Sequence, residues 1–183
     1  MMPIPNILTV MRIFLTPIFI ICLFSDFFGA QLWALVIFIV ASITDAYDGY
    51  LARKNNMVTN TGRFLDPLAD KILVSSAFIS FSIMGLIDIW MVALIIFRDL
   101  FVMGLRFLMS RRGFIMITSK ISKSKTAVQI GIIIFTLLFI TLKGFNWALL
   151  EDYLILINEY QLVYYLTMIA VIFTVYTGYV YIQ

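Results

Sequence analysis

The sequence predicts an all-α membrane protein that crosses the bilayer six times, because the chain is strongly apolar and its apolar residues form long segments. Hydrophobic residues make up 63% of the 183 residues, and the mean hydropathy is +1.05. Charged residues make up 13%, whereas about a quarter is usual in soluble domains. Apolar segments take up most of the chain, so we expect a single membrane domain over residues 1–183.

Six segments have close to the ~20 residues that a membrane-spanning helix needs. They are predicted at 7–25, 31–53, 63–85, 88–109, 122–143 and 161–181. Pro5-Asn6 is typical of a helix start and precedes the first segment. Polar or glycine-containing breaks separate the segments: Gly29, 54–61, Gly85, Arg111-Arg112-Gly113 and 143–160. The last break is the longest. We expect it outside the membrane, with room for a short helix along the interface.

In this topology most basic residues fall on one side of the membrane: Arg53, Lys54, Arg63, Arg111, Arg112, Lys120, Lys123 and Lys125. The opposite loops contain mainly acids: Asp26, Asp88, Glu151, Asp152 and Glu159, with Lys143 as their cation. Basic loops mark the cytoplasmic side, so we expect a multi-pass cell-membrane protein with its N-terminus in the cytoplasm. An anionic bilayer surface lies beside these basic residues, so we expect no nucleic-acid partner.

Residues 45–70 contain four of the ten acidic residues, in the pattern D-x2-D-G-x2-A-R-x8-G-x3-D-x3-D. Ionised carboxylates are costly near hydrocarbon and therefore mark functional sites. Asp45 and Asp48, like Asp66 and Asp70, have a spacing that places both side chains on one helix face. Two such pairs on neighbouring helices would group four oxygen ligands, which suit Mg²⁺. The alternative is that these carboxylates cap helices or pair with basic neighbours: Arg53, Arg63 and Lys71.

This pattern resembles the signature of the CDP-alcohol phosphotransferase family, and residues 5–12, PNILTVMR, resemble its N-terminal PNxLTxxR element. The resemblance implies transfer of a phosphatidyl group from CDP-diacylglycerol to an alcohol, with release of CMP. The distribution of basic residues predicts that this active site faces the cytoplasm. It implies two Mg²⁺ or Mn²⁺ ions held by Asp45, Asp48, Asp66 and Asp70. Asp70 is then also the catalytic base, and the chain has no histidine that could act instead. The single cysteine, Cys22, excludes an intramolecular disulfide and a thiolate metal site.

The resemblance also implies a set of residues that bind the CDP-lipid: Asn6, Thr9, Asp48, Gly49, Ala52, Arg53 and Gly62. Two of them have alternative explanations. Gly49 either leaves room for the nucleotide base or permits close packing of helices. Arg53 either holds the nucleotide or extends its charge from the membrane to the interface. The resemblance further implies a homodimer.

Three cations, Arg98, Arg106 and Lys125, indicate an anionic acceptor, since arginine can bind a phosphate with two hydrogen bonds. The alternative is that Arg98 pairs with Asp99 to stabilise the helix bundle. Together with the Ser-Lys-x-Lys-Thr sequence at 122–126, they resemble family members that use sn-glycerol 3-phosphate. Other acceptors in the family are serine, inositol, inositol phosphate and phosphatidylglycerol. A small transporter with an acidic cation site is a more remote interpretation, because the chain lacks the inverted repeats typical of transporters.

Overall fold

The computed structural model describes the backbone of residues 4–54, 62–111, 120–145 and 150–182, with side chains at 11–45, 69, 71–105, 108–109, 124–145 and 150–179. Within these ranges the chain is helical apart from short turns. The helices are α1 (Ile4–Phe24), α2 (Ala30–Lys54), α3 (Gly62–Ile83), α4 (Ile89–Arg111), α5 (Lys120–Phe145), α6 (Glu151–Glu159) and α7 (Leu162–Ile182). The all-α prediction is therefore confirmed.

Each of the six predicted segments coincides closely with one helix, and the short α6 lies in the break predicted to have room for it. Among the described residues, two stretches are long and apolar enough to cross a membrane, Ser124–Phe145 and Leu162–Tyr179. Shorter apolar stretches of described residues lie in α1, α2 and α3. The six-span topology stays a prediction.

The helices contribute to two compact units, of which the first comprises Met1–Ala77 and Ile133–Leu154. In this unit α1 packs against α2. Phe19 is fully buried, and its ring centroid lies 5.8 Å from that of Phe38. Ala34 and Ala41 are buried on the same face of α2 as Phe38, because the three residues are four and three positions apart. Small residues at such spacing let two helices approach closely.

The second unit comprises Phe78–Ile132 and Ile155–Gln183, and in it α4 packs against α7. The buried face of each helix repeats at intervals of three and four residues. On α4 this face consists of Met91, Ile95, Asp99 and Val102, and on α7 of Val163, Thr167, Ala170, Thr174 and Thr177. The face of α7 therefore combines small size with hydroxyl groups. Thr167 satisfies its hydroxyl within the helix, donating to the carbonyl of Val163 at 2.8 Å.

A glycine ends α3 in the second unit. Gly85 has a φ of +74°, and the N–H of Leu86 donates to the carbonyl of Phe81 at 3.0 Å. The N–H of Gly85 donates to the carbonyl of Ser82 at 3.0 Å. These two bonds form a Schellman motif, which satisfies the last carbonyls of a helix and favours glycine at the left-handed position.

We expect Gly85→Ala to lower the free energy of unfolding by about 1–2 kcal/mol, because the left-handed conformation places Cβ too close to the following carbonyl. Thermal unfolding in detergent measures this effect. Gly131→Ala is the matched control, since Gly131 lies inside α5 and a Cβ there meets no atom within 4 Å. An equal loss of stability in both variants would contradict the explanation.

Candidate active site

The aspartate motif is divided between two helices, as its spacing predicts. Asp45 and Asp48 lie on α2, and Asp66 and Asp70 lie on α3. The side chain of Asp45 is described. The grouping of all four carboxylates involves side chains outside the described residues and stays a prediction. The same holds for the other predicted site residues whose side chains are not described: Asn6, Thr9, Gly49, Ala52, Arg53, Gly62 and Arg106.

Asp45 forms an ion pair with Arg12 of α1, in which Nη1 of Arg12 lies 2.5 Å from Oδ1 of Asp45. The Arg12 side chain is 1% exposed and that of Asp45 is 38% exposed. A buried guanidinium without a counter-charge is very costly, so this pair fixes α1 to α2 and holds the carboxylate in place. The carboxylate remains accessible at the edge of the pair.

Asp45 is therefore suited to a metal-binding role. Mg²⁺ prefers carboxylate oxygens and keeps several of its waters, so its ligands must be accessible to solvent. Asp45 meets both conditions, and its ion pair with Arg12 can orient the carboxylate for a metal ion. Asp45, Asp48, Asp66 and Asp70 are the residues that could hold such an ion.

A second polar cluster lies in the second unit and consists of Arg98 and Asp99 of α4, Lys125 of α5 and Thr177 of α7. The Nη1 of Arg98 donates to Oδ1 of Asp99 at 3.2 Å, and its Nη2 donates to Oγ1 of Thr177 at 2.9 Å. Lys125 donates to the same Asp99 oxygen. Lys125 is 2% exposed and Asp99 is 5% exposed. We call these four residues the Arg98 cluster.

Two polar residues extend this polar region along α5 and α7. Gln129 is one turn after Lys125, and its Nε2 donates to Oγ1 of Thr174 at 3.3 Å. Among the described residues, neither Oε1 of Gln129 nor Nε of Arg98 has a hydrogen-bond partner, although both atoms are buried. Buried polar groups without partners are rare and often mark a place where a water or a ligand binds.

Among its described side chains the Arg98 cluster contains two cations and one carboxylate. Nε of Arg98 is a buried donor without a hydrogen-bond partner in the described part of the chain, and arginine forms charge-assisted hydrogen bonds with anions. The cluster therefore has a donor that suits an anion. The structure brings together Arg98 and Lys125, two of the three residues predicted to bind the acceptor phosphate. It also contains the Arg98–Asp99 pair that the alternative interpretation required.

The sequence alone did not assign a role to several of these residues. Arg12 was expected as part of the N-terminal element, and its ion pair with Asp45 on the next helix was not predicted. Thr174, Thr177 and Gln129 were not predicted. A signal was present in α7, where Thr167, Thr174 and Thr177 share one face of a strongly apolar helix.

Comparison with known proteins identifies the class. Residues 2–176 match the family model of the CDP-alcohol phosphatidyltransferases. The chain belongs to this family, which makes it a transferase.

The descriptions of individual relatives also name the acceptor substrate. The chain is 44% identical over 142 residues to the CDP-diacylglycerol–glycerol-3-phosphate 3-phosphatidyltransferase of Bacillus subtilis, covering 71% of this chain and 74% of the relative. It is 35% identical over 179 residues to the protein of the same description from Rickettsia bellii, covering 98% and 93%. A third relative of that description, from Wigglesworthia glossinidia brevipalpis, is 38% identical over 148 residues, covering 74% and 76%.

We expect Asp99→Asn to destabilise the protein by about 3–5 kcal/mol, because it leaves two buried cations without their carboxylate. The double variant Asp99→Asn/Lys125→Met should be less destabilised, since one of those cations is also removed. Thermal unfolding in detergent compares the variants, with Asp26→Asn as the control at an exposed aspartate. Equal melting temperatures for Asp99→Asn and Asp26→Asn would contradict a buried charged cluster.

Proposed function

We propose that the protein transfers the phosphatidyl group of CDP-diacylglycerol to sn-glycerol 3-phosphate, giving phosphatidylglycerophosphate and CMP. The observation that carries the acceptor assignment is the Arg98 cluster, in which two buried cations share one carboxylate. Arginine and lysine side chains form charge-assisted hydrogen bonds with a phosphate, so the cluster suits the phosphate of the acceptor. Family membership supports the transfer reaction, and relatives described as glycerol-3-phosphate 3-phosphatidyltransferases support the acceptor.

In this proposal Asp45, Asp48, Asp66 and Asp70 hold two Mg²⁺ or Mn²⁺ ions. The ions neutralise the pyrophosphate and the departing CMP when they are bound. Arg12 keeps the Asp45 carboxylate in its orientation. Asp70 accepts the proton of the acceptor hydroxyl while the hydroxyl oxygen bonds to the phosphorus of the phosphatidyl group. The bond from that phosphorus to the CMP oxygen then breaks.

The CDP-lipid is bound by Asp48 together with six further residues: Asn6, Thr9, Gly49, Ala52, Arg53 and Gly62.

The membrane spans are α1 to α5 and α7, with the N-terminus and active site in the cytoplasm. The protein is a homodimer, and a monomer by native mass spectrometry in lipid would contradict this.

We expect Asp70→Asn to lower turnover by ~10²–10⁴-fold, because the general base is lost, while binding of CDP-diacylglycerol largely persists. Asp45→Asn should in addition weaken metal-dependent binding of the CDP-lipid. CMP release and CDP-lipid binding are measured with and without EDTA for both variants. Near-normal turnover of Asp70→Asn would remove it from the base role, and turnover that persists in EDTA would contradict the metal requirement.

An assay of CMP release with a panel of acceptors tests the acceptor. We expect glycerol 3-phosphate to be preferred over serine, inositol, inositol phosphate and phosphatidylglycerol. Arg106→Gln should raise the KM for glycerol 3-phosphate by roughly ten- to a hundred-fold, since a charge-assisted hydrogen bond is lost. The KM for CDP-diacylglycerol should change much less. A preference for serine or free inositol, or unchanged kinetics of Arg106→Gln, would contradict the assignment.

A further inference from the structure

The end of α7 forms a surface against which Arg98 lies. Gly178 is buried there, and a Cβ at this position would lie 3.1 Å from Cγ and 3.4 Å from Nε of Arg98. The 3.1 Å distance is tighter than nine in ten real Cβ contacts, so a Cβ at Gly178 requires the arginine stem to give by a few tenths of an ångström. Glycine at this position therefore sets how close Arg98 lies to α7.

Thr177, the preceding residue, holds the other end of the same side chain. Its hydroxyl oxygen accepts from Nη2 of Arg98 at 2.9 Å and donates to the carbonyl of Thr174 at 2.9 Å. The second bond orients the hydroxyl so that its lone pairs are directed to the guanidinium. Asp99 binds Nη1 at 3.2 Å, so the guanidinium is held from two helices.

The guanidinium is thus fixed before any substrate binds. The Arg98 side chain is 10% exposed, and its Nε is buried without a hydrogen-bond partner among the described residues. A free arginine side chain loses rotamer entropy when it binds a ligand, whereas a side chain that is already fixed does not. Fixing Arg98 in advance lets it bind an anion at a smaller entropic cost.

We propose that Gly178 and Thr177 are positioning residues that orient Arg98 toward the phosphate of the acceptor. This inference rests on the proposed function, in which Arg98 binds that phosphate. Gly178 acts by leaving space for the stem of the arginine, and Thr177 acts by a hydrogen bond to its head. Neither residue contacts the reacting atoms in this proposal.

The steric part is tested with Gly178→Ala, which should raise the KM for glycerol 3-phosphate by about three- to ten-fold, because the arginine shifts by a few tenths of an ångström. The kcat and the KM for CDP-diacylglycerol should stay near wild type. Gly131→Ala is the matched control, since a Cβ there meets nothing within 4 Å, and its KM values should change by less than about two-fold.

The hydrogen bond is tested independently with two substitutions, one that keeps the size of the Thr177 side chain and one that keeps its hydroxyl. Thr177→Val removes the hydroxyl and should raise the same KM by roughly ten-fold, whereas Thr177→Ser retains the hydroxyl and should restore a value near wild type. Melting temperatures accompany all measurements. If Thr177→Val and Thr177→Ser have the same KM, the hydrogen bond has no positioning role.

Arg98→Gln separates this inference from the function on which it rests. A raised acceptor KM in Arg98→Gln, with unchanged values in Gly178→Ala and Thr177→Val, would overturn the positioning roles and leave the proposed function intact. A wild-type protein that does not use glycerol 3-phosphate would overturn the proposed function itself. A raised acceptor KM in all three variants, with Gly131→Ala and Thr177→Ser near wild type, is the result that we expect.

Discussion

Ion pairing of buried basic side chains is the constraint on which the polar architecture of this protein depends. Arg12 and Lys125 are almost fully buried. A charge in such surroundings is costly unless an opposite charge lies beside it. Asp45 provides this for Arg12, and Asp99 provides it for both Lys125 and Arg98. The Arg12–Asp45 and Lys125–Asp99 pairs each connect two helices, so charge pairing and helix packing depend on each other.

The two carboxylates have different surroundings, and this difference separates their roles. Asp45 is more than a third exposed and has a buried arginine on one side, so other ligands can approach it. Asp99 is buried and receives two cations on one oxygen, so it serves as their counter-ion within the second unit. An accessible, oriented carboxylate suits metal binding, whereas a buried carboxylate shared by two cations holds together side chains that can bind an anion.

The faces of α4 and α7 allow the second cluster to form. Their buried residues repeat at three- and four-residue intervals, the spacing at which one helix face packs against another. α7 has threonines and a glycine where a helix of a soluble core often has leucine. The threonines bring hydroxyl groups that satisfy donors from α4 and α5, and the glycine makes room for a long side chain. Packing and polar satisfaction are therefore achieved by the same residues.

The sequence by itself determined the helical segments, the placement of the four aspartates on two helices, and the family, because these depend on hydrophobicity and on spacing within one segment. It also identified Arg98 and Lys125 as candidates. Only the tertiary structure decided that Arg12 pairs with Asp45, that Lys125 and Arg98 share Asp99, and that Thr177 and Gly178 lie against Arg98. The physical reason is that helix periodicity fixes which residues share a face. Which faces of two helices pack together depends on contacts between residues that are far apart in the chain.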